Sequence, residues 1–168
     1  LATLHKQLKL DKSQIQEFIN LWLPRAGQLL REFKPQELTN SIYALATLHE
    51  QLGLNESQIK EFVNLWPPHA EKLLRKFNPQ DLASGIWALA TLSKQLKLDE
   101  PMIQKFVSLW LTCAEMFLHR FNPQDLANSI WALTFFREQL ELNKSQIRKF
   151  VNLWLPRAGQ LLREFKPQ

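Results

Sequence analysis

The chain repeats itself every 44 residues, and this period limits its possible folds more than any other feature. FKPQELTNSIYAL at Phe33–Leu45 returns as FNPQDLASGIWAL at Phe77–Leu89 and as FNPQDLANSIWAL at Phe121–Leu133. A further copy begins with FKPQ at 165–168. Trp22, Trp66, Trp110 and Trp154 keep the same period, as do Phe33, Phe77, Phe121 and Phe165. Residues 11–36 and 143–168 differ at four positions only, namely 11, 16, 17 and 19. A fixed period of about 20–50 residues marks a solenoid, propeller or array, in which stacked units complete a core that none could bury alone. The expected organisation is one array over 1–168. It has a partial repeat over 1–32, repeats over 33–76, 77–120 and 121–164, and the start of another at 165–168. The opening LATLHKQLKL matches LATLHEQLGL at Leu45–Leu54, so the chain reads as a window on a longer array.

Each unit reads as two helices. Asn122 can cap the first, with Pro123 at N1, where its missing N–H costs nothing, and Asp125 at N3 near the positive helix end. Phe121 and Leu126 form a hydrophobic staple across that cap. Apolar residues then follow at helical spacing, as in Leu38, Ile42, Leu45, Leu48 and Leu52. The second helix starts at a cap such as Asn55, with Gln58 at N3 and Leu54 and Ile59 as its staple. Its expected buried stripe is Ile15, Phe18, Ile19, Trp22, Ala26, Leu29, Leu30 and Phe33. Pro24, Pro68 and Pro156 share one column within that stripe's helix, and Thr112 takes the place in the third unit. A proline there removes a hydrogen bond, so the second helix should be bent or split near it. No period-two alternation or Asn-Gly turn points to a strand. The expected fold is all-α, an α-solenoid of 44-residue two-helix repeats in the HEAT/armadillo length range.

Composition excludes several classes of function. No apolar run is long enough to span a bilayer and no signal peptide opens the chain, so no membrane partner is expected. Cys113 is the only cysteine, which rules out an internal disulfide and favours an intracellular site, cytoplasmic or organellar. It stands where Arg25, His69 and Arg157 stand, so it reads as a chance substitution. No HxxxH or CxxC spacing, repeated Ser/His/Asp cluster or glycine-rich phosphate loop occurs. The reading is therefore no enzyme, no catalytic residue, no metal, no cofactor, and a monomer. The histidines are expected at the surface. A net charge of +5 mildly favours an anionic partner.

Three sets of residues are candidates for binding. On the first helix, Asn40, Ala44, Thr47 and Gln51 line up opposite the core stripe. Ser84, Ala88, Thr91 and Gln95 repeat the row, then Asn128, Ala132, Phe135 and Gln139, with Thr3 and Gln7 in the partial unit. This face is polar and uncharged, so it is either a ligand face or covered by neighbouring helices. Tyr43, Trp87 and Trp131 flank it, and serve either packing between repeats, which is favoured, or base stacking. Arg31, Arg75, His119 and Arg163 recur near the end of the second helix, joined by Lys76 and Arg120. They either complement the helix C-terminus or form a ridge that tracks phosphates. The variable columns His5/His49/Ser93/Arg137 and Gln16/Lys60/Gln104/Arg148 are where partner specificity would differ between units.

The segment PQDLANSIWAL at Pro123–Leu133 resembles the helical repeats of octotricopeptide-repeat proteins and the related repeats of FAST-kinase-like and RAP-domain proteins. It is also similar to the SKWP repeats of plant-pathogen effectors. Asn40, Ser84 and Asn128 match the Asn of the first signature by position. The 44-residue period is longer than the octotricopeptide unit, and Gln95 and Leu96 follow Ser93-Lys94 where an SKWP repeat has Trp and Pro. The first resemblance implies RNA binding, and the second implies action inside a host cell. The expected function is an RNA-binding module, with single-stranded RNA preferred because its bases are accessible. The alternatives are a protein-interaction scaffold, such as a segment of a bacterial effector, and a DNA-binding array. RNA binding calls for a positive surface beside the polar row, uninterrupted by Glu50, Glu56, Glu61 and Glu71. A scaffold calls for an exposed apolar groove.

Overall fold

The computed structural model describes residues 11–164. Thr3, His5, Gln7 and Phe165 lie outside the described residues, as does the side chain of Glu50. The elements are α1 (Lys12–Leu29), α2 (Pro35–Leu52), α3 (Glu56–Leu73), α4 (Pro79–Gln95), α5 (Glu100–Phe117), α6 (Pro123–Gln139) and α7 (Lys144–Glu164). α1, α3 and α5 each run directly into one 3-10 turn, at Leu30–Glu32, Leu74–Lys76 and Leu118–Arg120. No strand occurs among the described residues.

The caps decide where the helices start. In α4 the Asn78 side chain accepts the Asp81 N–H at 2.7 Å, and the Asp81 carboxylate accepts the Asn78 N–H at 3.2 Å. Asn122 and Asp125 repeat this reciprocal box at 2.8 and 3.0 Å in α6. Lys34 has no acceptor to offer, so α2 keeps only the half in which Glu37 accepts the Lys34 N–H, at 2.8 Å. The helix ends also follow from sequence. Gly53 adopts φ 59° and lets α2 close on its left-handed cap. In the same column Lys97 and Glu141 replace that glycine, and α4 and α6 stop earlier, at Gln95 and Gln139.

α1, α3 and α7 continue unbroken through Pro24, through Pro67 and Pro68, and through Pro156. The helices are therefore not split at proline. The packing on either side outweighs the one hydrogen bond that each ring removes.

The helices pack in two rows. α2, α4 and α6 contact one another in sequence, and so do α1, α3, α5 and α7. Each helix of the first row also packs on the one that follows it. Tryptophan links the rows. The indole N–H of Trp66 donates to the Leu38 carbonyl at 2.8 Å, that of Trp110 to Leu82 at 2.9 Å, and that of Trp154 to Leu126 at 3.1 Å. The ring then supports a phenylalanine of the next unit. Trp22 lies 5.7 Å from Phe62 between centroids, Trp66 5.3 Å from Phe106, and Trp110 5.6 Å from Phe150. Two ion pairs, Lys105–Glu71 at 2.7 Å and Lys149–Glu115 at 2.6 Å, add to the same row. Phe18 departs from the expected stripe and is 50 % exposed. Phe62, Phe106 and Phe150 are buried because each rests on a preceding tryptophan, and no described residue supplies one to Phe18. Among the described residues, no helix is long and apolar enough to cross a membrane.

The two roles of the tryptophan are separable. Trp110→Phe removes the indole N–H and keeps most of the ring, so it should cost about 1 kcal/mol. Trp110→Ala also empties the space under Phe150 and should cost about 3–5 kcal/mol. Urea unfolding followed by circular dichroism checks the order and the ratio.

Candidate nucleic-acid interface

The starts of α2, α4 and α6 share one edge, and a groove of about 710 Å³ runs across them. Its walls are columns in the 44-residue register. Gln36, Gln80 and Gln124 form one column, Asn40, Ser84 and Asn128 another, and Tyr43 and Trp87 a third. Asp81 and Asp125 also line it, and no Lys, Arg or His does.

The expected polar row is only partly assembled here. Asn40, Ser84 and Asn128 stand in the groove, and the rest of the row does not. The Thr47 and Thr91 hydroxyls lie further along their helices and donate to the carbonyls of Tyr43 and Trp87, each at 2.9 Å. Ala88 and Ala132 are buried; α4 has α2 and α6 of its own row against it, and α6 has α4. Gln51, Gln95 and Gln139 are exposed at the far ends of their helices, about 16 Å beyond Asn40, Ser84 and Asn128 at 1.5 Å per residue. They belong to a different part of the surface.

The aromatic column both packs and faces outward. Tyr43 and Trp87 have centroids 5.1 Å apart, and Trp87 and Trp131 6.5 Å apart. This is the favoured packing between repeats, yet Tyr43 stays 44 % and Trp131 42 % exposed. Phe135 takes the place of Thr47 and Thr91 and stacks on Trp131 with an interplanar angle of 11°.

The basic residues sit in the turns that feed this edge. Arg31, Arg75 and Lys76, and His119 and Arg120 are exposed within the 3-10 turns, a few residues before the starts of α2, α4 and α6. Arg163 is exposed at the end of α7. Glu56 begins α3, so it lies about 27 Å from the Arg75 end at 1.5 Å per residue. Glu61 is in the same half of α3. Glu56 and Glu61 therefore lie away from the basic turns, whereas Glu71 stands one helical turn before Arg75, with Lys105 as its ion partner. Glu32 interrupts the basic turns, beside Arg31.

Several polar residues of the variable columns serve packing. The Gln16 side chain donates to the Leu52 carbonyl, and that of Gln104 to Glu141 at 2.8 Å, each fastening the turn of a neighbouring unit. Ser93 donates to Leu89 at 2.7 Å. His49, expected at the surface, is buried, since the C-terminal turn of α2 is covered there. Cys113 is buried too, and burial pushes its thiol up while the Arg75 charge acts the other way. That suits a packed substitution rather than a nucleophile.

Asp125 at N3, and Asp81 at the equivalent place of the preceding unit, both also line the groove. Burial pushes both carboxyls above the ordinary value, opposed by the N–H groups of Asn78 and Asn122. A carboxyl with a raised folded pKa holds its proton more tightly when folded. It favours folding at low pH, and that contribution is lost as pH climbs through the folded pKa. The stability of the parent relative to an Asp81→Asn/Asp125→Asn variant should therefore fall as pH rises above about 4. Thermal unfolding of both proteins across pH 4–7 checks the sign.

No family model matches the chain, and no curated protein or solved structure matches it either.

Proposed function

We propose that the chain is a segment of an α-solenoid of HEAT/armadillo-like units that binds single-stranded RNA along the starts of α2, α4 and α6. The observation that carries this reading is the pairing, unit by unit, of a basic turn with the polar groove beside it. Arg31, Arg75, Lys76, Arg120 and Arg163 hold phosphates, whose attraction is long-ranged and independent of sequence. The amides of the groove meet sugars and base edges, and the exposed rings of Tyr43 and Trp131, with the half-buried ring of Trp87 between them, offer faces on which bases stack. Single strands fit this better than duplexes, because only unpaired bases present both their faces and their edges. The lone, buried Cys113 suits a reducing intracellular setting.

A protein partner is the second reading, and a different surface supports it. Leu21, Leu65, Leu109 and Leu153 recur one per unit on the other row of helices, each at least 41 % exposed. The groove itself is polar, unlike the apolar surface that a scaffold would offer.

Fluorescence anisotropy with a randomised 12-nucleotide RNA pool across a salt series tests the proposal. The logarithm of the affinity should fall linearly with the logarithm of salt. Each of Arg31→Ala, Arg75→Ala, Arg120→Ala and Arg163→Ala that removes a phosphate contact should lower the slope by about 0.7. Absence of binding at low salt, or slopes that all four substitutions leave unchanged, would contradict it.

A further inference from the structure

Resting on that RNA reading, we infer that the groove prefers guanine, and that Asp81 and Asp125 determine the preference. Both carboxylates are more than nine-tenths buried, with 6 % and 5 % exposure. Each uses Oδ2 to accept its cap N–H, and Oδ1 makes no hydrogen bond. No basic side chain lines the groove to balance them. Phosphates are repelled from such a floor and remain at the basic turns, so the bases point inward.

What enters must bring hydrogen-bond donors. Uracil presents a single N3–H between two carbonyls. Cytosine and adenine place a ring acceptor beside the amino group, where it faces the carboxylate unfavourably. Guanine alone has two adjacent donors, N1–H and N2–H, on its Watson–Crick edge, with the O6 acceptor beyond them. Gln80 lines the same groove, and its side-chain amide can donate to that O6. Asp81 and Asp125 are equivalent positions of adjacent units, so the groove has two such places. The first unit has none. Glu37 replaces the aspartate there, is exposed and does not line the groove.

The test uses the 168-residue chain with unstructured 12-nucleotide RNAs built on oligouridine, two uridines being replaced by guanine, adenine or cytosine at varied separations. The guanine oligonucleotides should bind about tenfold more tightly than the others, as expected for one base-edge contact pair. Asp81→Asn/Asp125→Asn should erase most of that difference while oligouridine binds at least as well as before. Gln80→Ala, an exposed position with no part in the caps, should reduce the guanine preference and serves if the aspartate variant fails to fold by circular dichroism. Equal binding of all oligonucleotides, or a guanine preference that survives these substitutions, overturns this inference and leaves the RNA reading standing. Binding of none of them overturns both. Tighter binding of an oligoarginine peptide than of any RNA, lost in the aspartate variant, would also overturn both and assign the groove to a basic peptide.

Discussion

The indole of Trp66, repeated at Trp110 and Trp154, acts in two directions. Its N–H is satisfied by a leucine carbonyl on the preceding helix of the same unit. The rings of Trp66 and Trp110 also form the floor for a phenylalanine on the next unit. A buried indole left without an acceptor would cost about 1–3 kcal/mol, so the carbonyl sets the depth and orientation of the ring. The ring in turn sets how far along its neighbour the next helix can sit. Because one residue fixes both relations, every unit inherits the same offset. The starts of α2, α4 and α6 fall on a common edge as a consequence.

That edge owes its chemistry to helix termination. α1, α3 and α5 end in 3-10 turns that carry Arg31, Arg75 and Lys76, and His119 and Arg120, where positive charge complements unpaired carbonyls. The even-numbered helices start two or three residues later with Pro, Gln and Asp or Glu, a sequence dictated by capping. Basic turns and an amide groove therefore stand side by side without any residue being placed for binding alone. Selection for a ligand would need to adjust only the residues around the caps, such as Ser84 against Asn40 and Asn128, or Asp81 and Asp125 against Glu37.

The sequence made the local structure legible and the neighbourhood much less so. The period, both caps, the staples and the helical spacing at Leu38, Ile42 and Leu45 depend on residues a few positions apart, and the helices form where these signals fall. The direction that a residue faces is also local, and Asn40, Ser84 and Asn128 do line one groove. What covers a face is not local. Ala88 and Ala132 share that face but are buried, since α4 and α6 pack against each other in their row. Gln16 and Gln104 look like variable surface positions, yet they bond to the turns of other units, and His49 in another variable column is buried. Asp125 is legible as a helix-start residue, and Asp81 by its place in the repeat. That they also face a groove depends on three units standing in register, which only the tertiary structure supplies.

Mapping of ultraviolet crosslinks between the protein and a uniformly labelled single-stranded RNA, read by mass spectrometry, examines the central claim directly. Crosslinks should concentrate at the exposed rings of Tyr43 and Trp131 and at the half-buried Trp87 between them. Crosslinks confined to the row that bears Leu21, Leu65, Leu109 and Leu153, or an absence of crosslinks under conditions where RNA is bound, would contradict it.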